Sequence, residues 1–158
     1  MKDFEYRIID NRYAEITEYN GSSTSIVIPE ELGGYPVTHL GDRALRNNNL
    51  KELDLKNVTH IRRLACYYNN LTELDLKNVK HIEWWAFDSD VELHQNGKEV
   101  QIINGTAMIV NSIRKKGEFN IYGCEYFNTG NKCFVAQPRD HLVHGDTAEE
   151  AIKYLKNR

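Results

Sequence analysis

The sequence predicts an α+β chain that is mainly β: a short solenoid capped at its N-terminal end by a β-hairpin, followed by a C-terminal hairpin and strand-helix module. Three observations carry this. Residues 50–58 read LKELDLKNV and residues 71–79 read LTELDLKNV, so nearly one nonapeptide returns after 21 positions. The copy extends further: His60-Ile61 returns as His81-Ile82 and Ala65 as Ala86, and the same offset run backwards sets His39-Leu40 and Ala44 in register. Beyond Phe87 the period stops, and Asn96-Gly97, the strongest short hairpin-turn signal, stands between Val91 to His94 and Lys98 to Ile103. The expected division is residues 1–90 for the solenoid with its cap and residues 91–158 for the C-terminal module.

Phe4 to Ile9 and Tyr13 to Tyr19 alternate apolar and polar residues on either side of Asp10-Asn11, the pattern of an antiparallel hairpin that would cap the open end of the stack. Ile26 to Ile28 reads as the first repeat strand, followed by Pro29 and a loop through Gly33-Gly34-Tyr35-Pro36. Leu50 to Leu55 and Leu71 to Leu76 are the next strands, each followed by Asn, Val, an x-His-[Leu/Ile] step and a turn around Ala. A period near 20 residues carrying L-x-x-L-x-L is the mark of a leucine-rich repeat, in which each unit buries its apolar edge against its neighbours alone. In the C-terminal module strands are expected near Ala107 to Val110, Glu118 to Tyr122 and Lys132 to Ala136, then a helix from about Ala148 to Lys156. Thr147 is its N-cap, because Glu150 three residues on completes a capping box.

With 41% hydrophobic and 27% charged residues the chain is globular, neither disordered nor membrane-spanning. Its opening run, MKDFEYRIIDNRYAEI, is charged throughout and lacks the apolar stretch of a signal peptide, which points to the cytoplasm of a bacterial or phage-infected host cell. Cys66, Cys124 and Cys133 are an odd count without paired spacing and read as reduced thiols. Four N-x-S/T sequons, at Asn20, Asn57, Asn70 and Asn104, then read as turn chemistry rather than glycan sites. Charge argues against nucleic acid as the primary partner: residues 1–97 hold eleven basic and sixteen acidic side chains, and the one cluster, Arg114-Lys115-Lys116-Gly117, has the composition of a hairpin tip.

If Leu53 and Leu55 point inward, then Glu52, Asp54 and Lys56 point out, and Glu73, Asp75 and Lys77 repeat them one strand along. Columns of like charge are mildly destabilising. Such a face therefore fits selection for a complementary protein, although a tandem duplication would also produce it. Trp84 falls in the column of Asp42 and Arg63 and is expected to face outward as a binding anchor.

The segments YAEITEYNG, SIVIPEELGGYPVTHLGDRAL, LKELDLKNVTHI and KHIEWWAF together resemble the BspA-type leucine-rich repeat over about residues 6–90. That resemblance implies a protein-binding scaffold with no shared catalytic residues, found in bacterial surface proteins and, in short unexported forms, similar to proteins carried by bacteriophages. The chain departs from the pattern where Phe should follow Ala, having Leu45 and Cys66 and conforming at Phe87 alone. Cys66 is thereby implied to fill the core. CFVAQ with HLVHGDTAEEAI, within about residues 132–156, resembles the strand-turn-helix segment of HicB-type antitoxins, which would imply another small binding element.

The expected function is therefore non-enzymatic protein binding, with no catalytic residue, metal or cofactor. One alternative is a phage-encoded inhibitor of a bacterial defence complex, such as an anti-CRISPR. Another, from a different class, is a metal-dependent or hydrolytic enzyme using the column of His39, His60 and His81. No G-x-S-x-G, P-loop, H-E-x-x-H or C-x-x-C motif supports it.

Overall fold

The structure, a computed structural model, describes residues 3–83, 85–103, 106–116, 119–127, 129–137, 143–145, 147, 149–151 and 153. It contains 48% strand and 3% helix, with stacked coils of about 4 turns, so the chain is a mainly β solenoid followed by further strands. Two compact units part between residues 96 and 97, Met1–Asn96 and Gly97–Arg158. Among the described residues no helix is long and apolar enough to cross a membrane.

In the first unit the strands are β1 (Phe4–Ile9), β2 (Tyr13–Tyr19), β3 (Ser25–Val27), β4 (Glu31–Leu32), β5 (Tyr35–Leu40), β6 (Glu52–Asp54), β7 (His60–Ile61), β8 (Glu73–Asp75), β9 (His81–Ile82) and β10 (Glu92–Gln95). β1 and β2 form the expected antiparallel hairpin. Asp10 and Asn11 both take positive φ, 53° and 50°, as these residue types tolerate, in a three-residue loop whose Arg12 N–H donates to Ile9 C=O at 3.1 Å. β2, β5, β7 and β9 then stack in parallel.

Each coil thus lays down two short strands where the sequence pattern offered one. The second set, at the x-His-[Leu/Ile] step, is two residues long at β7 and β9, too short to carry a readable alternation. β3 pairs in parallel with β6, and β8 with β10. In that last pair Glu92 lies beside Glu73, so the coil is 19 residues long. The stacking therefore continues past Phe87, where the 21-residue period alone suggests that it stops.

The 21-residue offset becomes a set of buried columns. Val37, Val58 and Val79 form one, Leu40, Ile61 and Ile82 a second, Ala44, Ala65 and Ala86 a third, and Leu45, Cys66 and Phe87 a fourth, all buried. Fully burying an aliphatic side chain contributes about 1.5–3 kcal/mol, and here each one rests on the equivalent residue of the next coil. Backbone bonds tie the coils as well, with Leu45 N–H donating to Ala65 C=O at 2.7 Å and Cys66 N–H to Ala86 C=O at 2.8 Å.

In the second unit β11 (Lys98–Ile103), β12 (Thr106–Lys116), β13 (Phe119–Tyr126), β14 (Lys132–Gln137) and β15 (Val143–Gly145) run in that order, each antiparallel to the next. Met108, Cys124, Cys133 and Val135 form its core cluster. Arg114 to Lys116 lie in β12 itself, in register with Phe119 to Ile121, and the expected tip residue Gly117 lies outside the described residues. Residues 149–151 are helical, and Thr147 caps them by accepting the Glu150 N–H at 3.1 Å on its hydroxyl. The rest of the expected helix to Lys156, apart from Lys153, lies outside the described residues.

Candidate functional site

Alternation on β6 and β8 decides which side chains can meet a partner. Glu52, Asp54, Lys56, Glu73, Asp75 and Lys77 are all exposed, while Leu55, Leu74 and Leu76 are buried and Leu53 is half-buried. The face extends beyond the residues the repeat singled out, because β10 adds Glu92 beside Glu73 and His94 beside Asp75, and β3 adds Ser25 beside Glu52. Asp54 is held locally: its Oδ1 accepts the Lys56 N–H at 3.0 Å, and its Oδ2 lies 3.1 Å from Lys56 Nζ. The backbone bond, more than the ammonium, keeps its carboxyl below the usual carboxylate value. Ser25 Oγ donates to Glu52 Oε2 at 2.6 Å. Glu73 and Asp75 carry no ion pair among the described residues, which leaves an acidic strip at the middle of the face.

Trp84, the expected anchor, lies outside the described residues. Its neighbour Trp85 is 64% exposed, and Tyr68 is 55% exposed. Both stand on the turns that follow the second strand of each coil, where the backbone repeats an uncommon conformation. Arg43, Leu64 and Trp85, spaced by 21, have φ of 61°, 58° and 56°, and Asn47 and Tyr68 have 60° and 59°. Arg46 lies over the Tyr68 ring at 5.1 Å, and Tyr67 and Tyr68 have ring centroids 4.5 Å apart. A fixed offset does not mark this ridge, because its residues differ from coil to coil.

The histidine column is real but differently made from a metal site. His39, His60 and His81 are half-buried and in parallel register. The first two rings stack face to face at 4.3 Å and 6°, the second two meet at 5.8 Å and 36°. Thr38 Oγ1 lies 2.7 Å from His39 Nδ1 and Thr59 Oγ1 2.9 Å from His60 Nδ1, so hydroxyls hold one nitrogen of each of these two rings. Stacked rings point their remaining nitrogens in parallel rather than at a shared centre. No group of three or more metal-ligating side chains converges among the described residues. Burial first, and the neighbouring imidazole second, lower the pKa of both His39 and His60 below 6.5.

Beside this column Glu15 is 1% exposed and clamped by two guanidinium groups, Arg7 Nη2 at 2.5 Å and Arg62 Nε at 2.7 Å. The Arg62 contact is one of charge rather than a directed hydrogen bond, since neither Arg62 Nε nor Glu15 Oε2 has an aligned partner. Gly41 occupies the column where later coils carry Arg62 and Glu83. A Cβ there would fall 2.9 Å from Ile16 O and 3.2 Å from Glu15 Oε1, so glycine leaves the room that the buried pair fills. This is a structural lock on the cap.

The cysteines are core residues. Cys66, Cys124 and Cys133 are buried thiols, burial pushes the Cys66 thiol well up, and Cys124 is pushed up to about 12. No family model, curated protein or solved structure matches the chain.

Proposed function

We propose that this chain is a non-enzymatic protein-binding module built on BspA-type leucine-rich repeats, acting in the cytoplasm of a bacterial or phage-infected cell. It engages its partner through the outward residues Glu52, Asp54, Lys56, Glu73, Asp75 and Lys77. The observation that carries this reading is the exposure of all six, on β6 and β8 and the turns that follow them, beside the buried Leu55, Leu74 and Leu76. Among the described residues Glu73 and Asp75 gain no ion pair, and the like charges of Glu73 and Glu92 on paired strands oppose one another. A basic partner surface would neutralise them.

Exposed charges mainly steer encounter, so the Asp54→Lys, Asp75→Lys double variant should slow association with the partner and flatten its dependence on salt. The partner is obtained by tagged pull-down from host lysate with mass spectrometry, and its association rate is then measured at two or more ionic strengths. An unchanged association rate in a variant with a native circular dichroism spectrum would move the interface off this face.

A further inference from the structure

The ridge of turns is a separate surface with its own chemistry, and three properties converge on it. First, its aromatic groups are placed against the preferences of both backbone and core. A left-handed conformation costs an ordinary L-residue about 1–2 kcal/mol and favours Gly or Asn. Asn47 meets that preference, whereas one coil later Tyr68 does not, and Trp85 stands at the matching step after Arg43 and Leu64. The turn itself does not call for an exposed aromatic ring at such a position.

Second, the acidic groups along the ridge are already engaged. Asp88 accepts the N–H groups of Tyr68 and Asn69 at 3.1 and 3.0 Å. Asp42 lies 3.9 Å from Arg63, and Glu83 accepts the Arg63 N–H at 3.3 Å. Arg43 has no ion pair among the described residues, and Arg46 meets the Tyr68 ring rather than a carboxylate. Third, the aromatic surface is preformed, with Tyr67 packed against Tyr68 and Arg46 laid over it.

We propose that Arg43, Arg46, Tyr68 and Trp85 form a second binding surface, for a short acidic segment of a partner protein. Its carboxylates meet the two guanidinium groups, and an apolar side chain beside them packs between Tyr68 and Trp85. This rests on the reading of the chain as a protein-binding module and names a different face. A polyphosphate chain is a poorer fit, because it would extend across a solenoid whose residues 1–97 carry eleven basic and sixteen acidic groups. A segment with one or two carboxylates meets the local pair alone.

The test uses the full chain as bait for a random dodecapeptide phage library, followed by fluorescence polarisation with the enriched peptides. Expected are sequences with Asp or Glu within a few positions of an aromatic, Leu or Pro. Trp85→Ala should weaken such a peptide about 30-fold and the Arg43→Glu, Arg46→Glu double variant at least about 10-fold. Glu18→Ala, an exposed change on β2, serves as the folding and binding control. Failure to enrich any acidic peptide, or affinity that survives both ridge variants, overturns the proposal. So does a labelled oligothymidylate that binds more tightly than the peptide and is weakened by the same substitutions, which would assign the ridge to nucleic acid. Loss in the Asp54→Lys, Asp75→Lys variant with the ridge variants intact also overturns it, while leaving the acidic sheet face standing as the module's interface.

Discussion

Removing one amide should loosen the backbone of two neighbouring coils at once. Asn69 accepts the N–H groups of Asn48 at 3.1 Å and Leu50 at 3.0 Å, and donates to the carbonyls of Leu45 and Cys66, each at 2.8 Å. Asn69→Ala strips four backbone groups of their partner. A hydrogen bond contributes about 0.5–1.5 kcal/mol net, and an orphaned buried group costs about 1–3 kcal/mol. Because Asn69 is half-buried, water can reach some of the four, and the expected loss is about 3 kcal/mol. For a chain of this length that corresponds to a fall in Tm of roughly 6–12 °C. Both tryptophans, Trp84 and Trp85, lie in the first unit, so intrinsic fluorescence during a thermal ramp reads the solenoid. Asn48→Ala is the comparison: its side chain makes one exposed bond, to Arg46 C=O at 3.2 Å, and its loss should cost under about 1 kcal/mol. If the two variants melted within about 2 °C of each other, the idea that a single amide staples the coils would fail.

Further expectations concern the core, the thiols and the histidines. Leu74→Asp should unfold the solenoid, since burying an unpaired carboxylate costs several kcal/mol against a total of about 5–15, whereas half-buried Leu53→Asp should be milder; equal urea midpoints would refute the distinction. Cys66 and Cys124 should react with a thiol reagent only upon unfolding, because burial raises both thiols; stoichiometric labelling within minutes in native buffer would contradict this. His39 and His60 have folded pKa values lowered from 6.5, so as pH falls below 6.5 the unfolded chain takes up protons that the folded chain resists. Stability should therefore be full above 6.5 and decline below it, visible in urea midpoints between pH 8 and 5, and the His39→Gln, His60→Gln variant should show a flatter profile.

What the sequence made legible was everything that depends on a fixed offset. The columns of Val, Leu or Ile, and Ala, the outward Glu, Asp and Lys, and the Asp10-Asn11 hairpin follow from period and turn chemistry and reappear in the structure. What it concealed was how equivalent positions diverge in role. Asn48 and Asn69 look alike at a spacing of 21, yet one bonds its own turn and the other bridges coils. Glu15 looks like an outward strand residue, and is buried because Gly41 and Arg62 in later coils close over it. Contacts that a residue makes with a neighbouring coil of different sequence do not register in its own local pattern.

The two halves of the repeat also weigh the meaning of its identities. A tandem duplication copies exposed and buried residues alike. Between successive coils the ridge has drifted at matching positions: Asp42 to Arg63, Arg43 to Leu64 to Trp85, Arg46 to Tyr67, and Asn47 to Tyr68. Over the same interval Glu52 and Glu73, Asp54 and Asp75, and Lys56 and Lys77 have stayed identical, although all six are exposed. A duplication too recent to have drifted would have left the ridge identical too. Asp54 has a role in its own turn, where it accepts the Lys56 N–H, whereas Glu73 and Asp75 make no ion pair among the described residues and like charges along a column oppose one another. Under the reading proposed above, a partner that meets the same charges on neighbouring coils is what holds Glu73 and Asp75 identical to Glu52 and Asp54, and the Asp54→Lys, Asp75→Lys variant tests that reading directly.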